Sequence, residues 1–343
     1  MKVLVVGGAG YIGSFMVRLL EEKGIEPIVF DNLSTGHRSA VAPSTMFVRG
    51  DLSDQRRIRQ VLSSISVDAI MHFASFIEVG ESVSEPVRYY YNNVANTIGL
   101  LKAMRESRVN RFIFSSSAAV YGNPKTVPID ESHEKRPVNP YGWTKYMVEQ
   151  ILEDISKASE FRYVSLRYFN AAGGDPDGRM GEDHSPETHL IPRLLNSVLK
   201  TGIREPLEIF GSDYDTPDGT CIRDYVHVMD LVQAHLLALT YLLDGGRSEV
   251  FNLGSGQGAS VREVIRAAEK ITGMQVPVVE AGRRPGDPPV LIADSKKISK
   301  KLGWQPGFSE LESVIQTAWK WHSGSPSGYS TSVRRPRKRK EAI

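Results

Sequence analysis

The sequence predicts an α/β protein: a doubly wound parallel β-sheet with helices on both faces, followed by a smaller C-terminal domain. Two observations support this prediction. Six short apolar segments alternate with helical segments over the first 170 residues, and a glycine-rich turn joins the first segment to the first helix. Such alternation is typical of parallel strands joined by right-handed crossovers.

The predicted elements follow in order along the chain. Strands are expected at 2–7, 26–31, 45–51, 68–74, 111–117 and 161–170. From Asn170 the chain becomes rich in Gly, Pro and polar residues, and its later elements are shorter. We expect a first domain over 1–169, a second domain mainly over 170–329, and a segment, 225–255, that returns to the parallel sheet.

Composition excludes several classes of protein. The chain of 343 residues is 41% hydrophobic and 24% charged, which is typical of a globular protein. Its net charge of +2 comes from the end, because residues 332–343 hold six basic residues and one acidic residue. We expect the tail, 330–343, to be disordered, and the acidic remainder argues against a nucleic-acid surface. No apolar run is long enough for a membrane helix, and the single cysteine, Cys221, fits a reducing, cytoplasmic location.

The glycine turn predicts a phosphate-binding loop. In "VVGGAGYIGS", Gly7, Gly10 and Gly13 follow the first strand and open the first helix, and Gly8 completes a G-x-G-x-x-G pattern. A helix N-terminus offers free N–H groups and a positive dipole end to a pyrophosphate. The pattern therefore predicts a dinucleotide-binding, Rossmann-type first domain.

Asp31 indicates which dinucleotide is bound. It ends the second predicted strand, about 18 residues beyond Gly13. A carboxylate at this place accepts hydrogen bonds from the adenosine ribose and repels a 2′-phosphate, so NAD is favoured over NADP.

Three further residues predict redox chemistry on a hydroxyl group. Tyr141 and Lys145 lie four residues apart on a predicted helix, and Ser117 ends the fifth predicted strand. A phenol is a poor base at neutral pH unless nearby positive charge lowers its pKa. We expect Lys145, together with the nicotinamide ring, to make Tyr141 the base, with Ser117 bonded to the same substrate hydroxyl.

The motifs "GGAGYIG", "FSSSAAVYG" and "PYGWTK" resemble the extended short-chain dehydrogenase/reductase family. Others, including "DNLSTGHR", "LRYFNAAG", "HLIP", "FNLGSGQGASV" and "RRPGDPP", are similar to its UDP-glucose 4-epimerase branch, and the resemblance extends from Met1 to about Tyr329. It implies an isomerase of galactose metabolism. Such an enzyme holds NAD tightly, oxidises the sugar at C4 and returns the hydride to the opposite face.

The resemblance also implies most of the site. The residues expected around the cofactor, beyond the glycines and Asp31, are Tyr11, Ile12, Asn32, Asp51, Leu52, Phe73, Ala74, Ser75, Asn92, Ser115, Tyr141, Lys145 and Tyr168. The residues expected around the nucleotide-sugar are Ser117, Tyr141, Asn170, His189, Leu190, Phe210, Arg223, Arg284, Asp287 and Leu291. A homodimer is implied as well, through helices near 83–107 and 140–157.

Three positions depart from the family pattern. Ile77 replaces a lysine that contacts the cofactor ribose, and His189 stands where an asparagine is common. Leu291 occupies the position that gates the sugar pocket in the family. A tyrosine there restricts the pocket to plain hexoses and a small residue admits N-acetyl sugars, and leucine lies between these two in size. An epimerase acting on UDP-N-acetylglucosamine or on a UDP-pentose therefore stays an alternative.

Other classes of protein and site are less well supported. A 4,6-dehydratase needs an Asp-Glu pair after the active-site hydroxyl residue, and Ala118 and Ala119 stand there. A non-catalytic NAD-sensing scaffold would be expected to lack Tyr141 or Lys145. No metal site is predicted, because His184, Glu187 and His189 do not form a convincing ligand set in the sequence.

Overall fold

The computed structural model describes residues 1–199, 206–284 and 287–329; the tail predicted to be disordered, 330–343, lies outside them. The strands are β1 (Lys2–Val6), β2 (Glu26–Asp31), β3 (Met46–Arg49), β4 (Ala69–His72), β5 (Arg111–Ser117), β6 (Arg162–Tyr168), β7 (Asn170–Ala172), β8 (Leu207–Phe210), β9 (Ile222–His227), β10 (Glu249–Leu253), β11 (Gly258–Ser260), β12 (Val278–Ala281) and β13 (Val290–Leu291). The α-helices are α1 (Tyr11–Glu22), α2 (Gln55–Ser64), α3 (Val79–Ser84), α4 (Pro86–Tyr89), α5 (Asn96–Glu106), α6 (Pro140–Ala158), α7 (Leu190–Leu199), α8 (Val228–Leu243), α9 (Val261–Thr272), α10 (Lys296–Leu302) and α11 (Leu311–Gly324).

Seven parallel strands form the main sheet, in the order β10-β6-β5-β4-β1-β2-β3. The predicted fold class is confirmed, and all six strands predicted for the first half are present. Of the segment 225–255, β10 joins the main sheet beside β6, whereas β9 belongs to a smaller sheet with β7, β11 and β13. The strand order reverses between β1 and β4, where ligands bind in open α/β sheets.

Alternating side chains of the strands build two cores. On one face of the sheet, Val3 and Val5 pack in a cluster with residues of α1 and α8. On the other face, Leu4 and Val6 pack in a cluster with residues of α2, α5 and α6. Because both faces are buried, the strands read as continuous apolar runs rather than as alternating patterns.

The second half has its own core. Residues of α7, α9 and α11 pack together with the strands β8 and β9. The chain enters this part directly after β6, through β7, which packs against α8 and α11. Within the described residues, every helix is too short or too polar to cross a lipid bilayer.

Candidate active site

The glycine loop between β1 and α1 has three glycines with different structural roles. Gly7 has φ of +80°, and a Cβ there would lie 2.6 Å from the backbone nitrogen of Ala74. A Cβ on Gly13 would lie 2.1 Å from the carbonyl oxygen of Gly7. A Cβ on Gly10 would meet no protein atom nearer than that same oxygen, at 3.5 Å. Gly7 and Gly13 are thus required by the fold, whereas Gly10 leaves open the space that a pyrophosphate would approach.

Asp31, at the end of β2, holds this loop in place. Its side chain is 8% exposed and accepts hydrogen bonds from the backbone N–H groups of Ala9, at 2.9 Å, and Leu33, at 2.7 Å. Burial raises the pKa of Asp31, and the two hydrogen bonds oppose that shift. Each carboxylate oxygen keeps a lone pair for a further donor, so the residue can also accept from ribose hydroxyls.

The other residues expected around the cofactor lie at the same edge of the sheet. Asn32 follows β2 and donates to Asp51 Oδ2 at 2.6 Å, and Asp51 follows β3. Tyr11, in the first turn of α1, donates its hydroxyl to the Gly173 carbonyl at 2.7 Å. The remaining ones stand on the first turn of α1, after β3 and after β4: Ile12, Leu52, Phe73, Ala74 and Ser75.

Helix α6 carries Tyr141 and Lys145 to this edge. Asn139 caps the helix by accepting from the Gly142 N–H at 2.8 Å, and Pro140 occupies the first turn, where its missing N–H is not needed. Lys145 is 2% exposed and donates to Ser75 Oγ at 2.8 Å and to the Ser115 carbonyl at 2.7 Å. Burial lowers the pKa of Lys145 to about 7.

The pKa of Tyr141 is governed mainly by burial. Burial raises it, and the neighbouring Ser117 hydroxyl opposes that shift. The Lys145 ammonium lies 5.8 Å from the centre of the Tyr141 ring and is held by its two serine partners. Burial therefore dominates at Tyr141 in the protein chain alone, and the lowering of its pKa by Lys145 together with the nicotinamide ring stays a prediction.

Three serines end β5, and two of them, Ser115 and Ser117, line the same place. The Ser115 hydroxyl is hydrogen-bonded to the Tyr168 hydroxyl, and burial raises the pKa of Tyr168 well above its ordinary value. Ser116 turns to the opposite face and donates to Glu149 Oε1 at 2.5 Å. Ser117 accepts from the Ala119 N–H at 3.1 Å, which opens a 3-10 turn.

Two supporting groups were missed in the sequence. Asn93, in a π-helical turn over Tyr90–Ala95, is hydrogen-bonded to both backbone groups of Phe76 and donates to Thr144 Oγ1 at 3.1 Å. It thereby ties the loop after β4 to α6, and the neighbouring Asn92 donates to it at 2.9 Å. Such π-helical turns often mark functional sites.

The second is a buried ion pair behind the serines. Arg167, on β6, binds Glu149 with its guanidinium Nη2 2.5 Å from Oε2, and both side chains are almost fully buried. Arg167 also donates to the Tyr121 hydroxyl at 2.9 Å. Because Glu149 lies one turn after Lys145 on α6, this pair fixes the helix against the sheet.

Residues expected around the nucleotide-sugar form two contacts beside the sheet edge. Arg223 Nη2 lies 3.3 Å from Asp287 Oδ1, and Leu291 stands opposite Arg223 in the register of β13 and β9. The Arg284 guanidinium carbon lies 3.8 Å from the centre of the Phe210 ring. Asn170 begins β7 and Leu190 begins α7.

His189 lies in a cluster that the sequence did not predict. Its Nδ1 is 2.5 Å from Glu182 Oε1, and donor atoms of Glu182, His184, Glu187 and His189 all lie within 4.8 Å of one another. Burial opposes the charge of His189, but the Glu182 carboxylate outweighs it and raises the pKa of His189 to about 9. This cluster borders the cofactor side, because the His184 ring is 6.4 Å from that of Tyr11.

The parallel sheet, the glycine loop and the acid at the end of β2 together define a dinucleotide-binding protein, with a serine, a tyrosine and a lysine gathered beside the loop. Residues 3–254 match the model of the NAD dependent epimerase/dehydratase family, and the chain belongs to that family.

Curated and solved proteins resemble nearly the whole chain. UDP-glucose 4-epimerase from Streptococcus mutans is 51% identical over 96% of this chain and 99% of its own length. The structure of UDP-glucose 4-epimerase from Brucella ovis in complex with NAD is 49% identical, covers 93% of this chain and 97% of its own, and gives a TM-score of 0.89. The enzyme from Bifidobacterium longum, solved with NAD⁺ and UDP, is 37% identical, covers 96% of this chain and 100% of its own, and gives a TM-score of 0.91. The resemblance found in the sequence is confirmed.

Proposed function

We propose that this protein is a UDP-glucose 4-epimerase that interconverts UDP-galactose and UDP-glucose through a 4-keto intermediate. One observation carries the proposal. Lys145 joins Ser75, after β4, to Ser115, on β5, so that Tyr141 and Ser117 meet at the sheet edge where the glycine loop lies. Enzymes of this name are about 50% identical to the chain over nearly its whole length.

Tyr141 is the base in this mechanism. It removes the proton from the C4 hydroxyl, and Ser117 hydrogen-bonds the same hydroxyl and orients it. Lys145 fixes the loops that carry both residues, through its bonds to Ser75 and Ser115. After the keto sugar has turned over in the pocket, Tyr141 returns the proton to the new C4 hydroxyl.

NAD fits the loop of this chain. The open space at Gly10, the free N–H groups at the start of α1 and the spare lone pairs of Asp31 match a pyrophosphate and a ribose. NAD supplies the hydride acceptor at C4 when bound. Tyr168 would flank the nicotinamide, as the family resemblance implies, and its hydroxyl is hydrogen-bonded to Ser115 on β5.

Arg223 and Arg284 hold the diphosphate of the substrate, because a guanidinium presents a rigid, permanently charged fork to phosphate oxygens. The ring of Phe210 packs against the Arg284 guanidinium. The contact of Arg223 with Asp287 keeps a carboxylate in reach of ribose hydroxyls.

A turnover assay tests the function. Purified protein is given UDP-galactose without added NAD, and the products are separated by chromatography. UDP-glucose should appear, and a Tyr141→Phe variant that still retains its NAD should be inactive. Failure of the wild type to convert UDP-galactose, even with NAD supplied, would overturn the proposal and favour the non-catalytic scaffold.

Leu291 leaves the preference between plain and N-acetyl sugars open. It packs against a hydrophobic cluster that contains Ala118, Tyr121 and Phe169, and Ala118 directly follows Ser117. UDP-N-acetylgalactosamine in a parallel assay separates a strict hexose epimerase from one that also accepts N-acetyl sugars, and a UDP-pentose tests the remaining alternative.

We also propose that the protein is a cytoplasmic homodimer. Helices α3 to α6 expose large apolar side chains, among them Val83 at 63%, Val87 at 79%, Tyr91 at 59% and Ile98 at 47% exposure. Trp143 and Met147 of α6 extend the same surface, since α6 packs against α3 and α4. A patch of this kind is typical of a subunit interface. Light scattering should give the dimer mass for the wild type, and a Val87→Glu variant should shift it toward the monomer.

A further inference from the structure

We infer that Glu182, His184, Glu187 and His189 form a binding site for one divalent transition-metal ion, with Zn²⁺ as the best fit. The four side chains supply two imidazole nitrogens and two carboxylates, a donor set that suits this class of ion. The site lies outside the machinery proposed for hydride and proton transfer. It is called the His/Glu cluster below.

The spacing of the donor atoms matches one metal ion. His184 Nδ1 lies 3.3 Å from Glu182 Oε1 and 3.8 Å from Glu187 Oε2, and His189 Nδ1 lies 3.7 Å from Glu187 Oε1. Tetrahedral zinc with bonds of about 2.0–2.1 Å separates its ligand atoms by roughly 3.4 Å. Three of the four His–Glu pairs are therefore near the edge length of a zinc tetrahedron, with Glu187 meeting the two histidines through different oxygens, one of which would turn to the ion.

The fourth pair is closer. His189 Nδ1 and Glu182 Oε1 are 2.5 Å apart, as expected for a hydrogen bond with one proton between them. A metal ion would replace that proton, because it binds to the same lone pairs of the nitrogen and the oxygen. His189 Nδ1 and Glu182 Oε1 would then have to move apart by less than an ångström.

The orientation of His184 also points to a ligand. Its buried Nδ1 lies 3.3 Å from Glu182 Oε1, in an ion-pair contact that does not have the geometry of a hydrogen bond. Buried polar atoms are nearly always hydrogen-bonded, because leaving one unpaired is unfavourable. A metal ion between the carboxylates would satisfy this nitrogen.

The surroundings hold the cluster firmly. Glu182 is 3% exposed, and its backbone carbonyl accepts from Trp321 Nε1 at 3.1 Å, so α11 fixes it. Two carboxylates in one buried place repel each other, and a bound cation offsets that repulsion. The ring of Tyr11, on α1, lies 6.4 Å from that of His184 and borders the cluster.

The position indicates a structural role for the ion. Four protein ligands complete a tetrahedron and leave no open position for substrate or water, as in structural zinc sites. The ion would join the loop after Gly181 to the start of α7 at Leu190, and would thereby tie α7 to α11.

Binding is tested on tag-free protein that keeps its NAD. The protein is treated with a chelator, dialysed and titrated with Zn²⁺ by calorimetry, and native mass spectrometry counts the ions. One Zn²⁺ per chain is expected, with a rise in melting temperature. Glu187→Gln, which removes one donor, should weaken binding by more than about tenfold, whereas Asp177→Asn, an exposed acid in the same loop, should leave it unchanged.

Cobalt gives a second measurement that needs no variant. Co²⁺ in a tetrahedral site absorbs visible light much more strongly than hydrated Co²⁺, so the wild type should develop an intense band at one equivalent. Absence of stoichiometric Zn²⁺ binding, or a Co²⁺ spectrum that stays that of the hydrated ion, would overturn the proposal. Equal Zn²⁺ binding by Glu187→Gln and the wild type would overturn it as well.

Discussion

The ammonium of Lys145 lies 5.8 Å from the centre of the Tyr141 ring, and its hydrogen bonds go to the Ser75 hydroxyl and the Ser115 carbonyl. Both partners are neutral, so burial lowers the pKa of the ammonium, and the nearby Glu149 carboxylate opposes that shift only in part. Two loops of the sheet edge are thus joined through a lysine whose pKa is about 7. The shift makes the stability of the protein depend on pH.

The free energy of unfolding of the NAD-free protein should rise with pH above about 7. Lys145 keeps its proton in the unfolded chain until about pH 10, whereas the folded protein releases it near pH 7. Between these values the unfolded state binds more protons, so stability increases as pH rises, by about 1.4 kcal/mol per pH unit at most. Urea denaturation between pH 6 and pH 9 measures this.

The control is Lys145→Met, which does not titrate. The difference in unfolding free energy between wild type and Lys145→Met should change in favour of the wild type as pH rises from 7 to 9. A difference that stays flat over this interval would show that burial does not shift the pKa of Lys145.

Tyr141→Phe should lose turnover by about 10²- to 10⁴-fold, the usual contribution of one general base. The ring and its packing are retained, so NAD content and melting temperature should hardly change. Tyr146→Phe, five residues further along the same helix, serves as the control and should keep full activity. An active Tyr141→Phe enzyme would remove Tyr141 from the role of base.

Gly10→Ala should lose bound NAD but keep its stability, whereas Gly13→Ala should lose stability. Ala at position 10 has a permitted backbone conformation (φ −78°, ψ 177°) and meets no protein atom nearer than 3.5 Å. The NAD-free variant should therefore be as stable as the wild type, but its methyl group blocks the pyrophosphate, and bound NAD should be lost. Ala at position 13 puts its Cβ 2.1 Å from a backbone carbonyl, so folding itself should suffer.

Thermal melting and the NAD released on denaturation separate the two outcomes. Gly24→Ala, at a glycine with an open surrounding but φ of +71°, controls for backbone strain remote from the loop. Retention of NAD by Gly10→Ala would show that the dinucleotide does not approach the loop there.

Much of the fold follows from periodicity alone. The apolar runs of β1, β4 and β5 and the cap at Asn139 have local causes, so the strands and α6 lie within a few residues of their predicted positions. The glycine spacing is equally local. These features need no knowledge of distant contacts.

The missed features depend on the path of the chain. Asn93 donates a hydrogen bond to Thr144, which lies 51 residues further along the chain. Glu182 contacts His189 only because the irregular loop between them folds back. Loops rich in Gly and Pro carry no periodicity that would predict such a meeting. The burial that raises the pKa of Tyr141 could not be foreseen for a related reason, since spacing along a helix does not reveal burial.

Substitutions at Leu291 should change the choice of sugar. Leu291 stands opposite Arg223 in the β13–β9 pairing and packs among Ala118, Tyr121 and Phe169. Leu291→Ala should enlarge this place and raise kcat/KM for UDP-N-acetylgalactosamine relative to UDP-galactose, by about 10- to 200-fold. Leu291→Tyr should reduce the same ratio.

Val290→Ala is the matched control. Val290 is the neighbour of Leu291 on β13, and successive side chains of a strand point to opposite faces. Val290→Ala should therefore leave the ratio of kcat/KM for UDP-N-acetylgalactosamine to that for UDP-galactose unchanged, although it removes a similar apolar volume. Equal ratios for Leu291→Ala, Leu291→Tyr and the wild type would show that another residue gates the sugar, and the preference would then have to be sought on the side of Arg223 and Asp287.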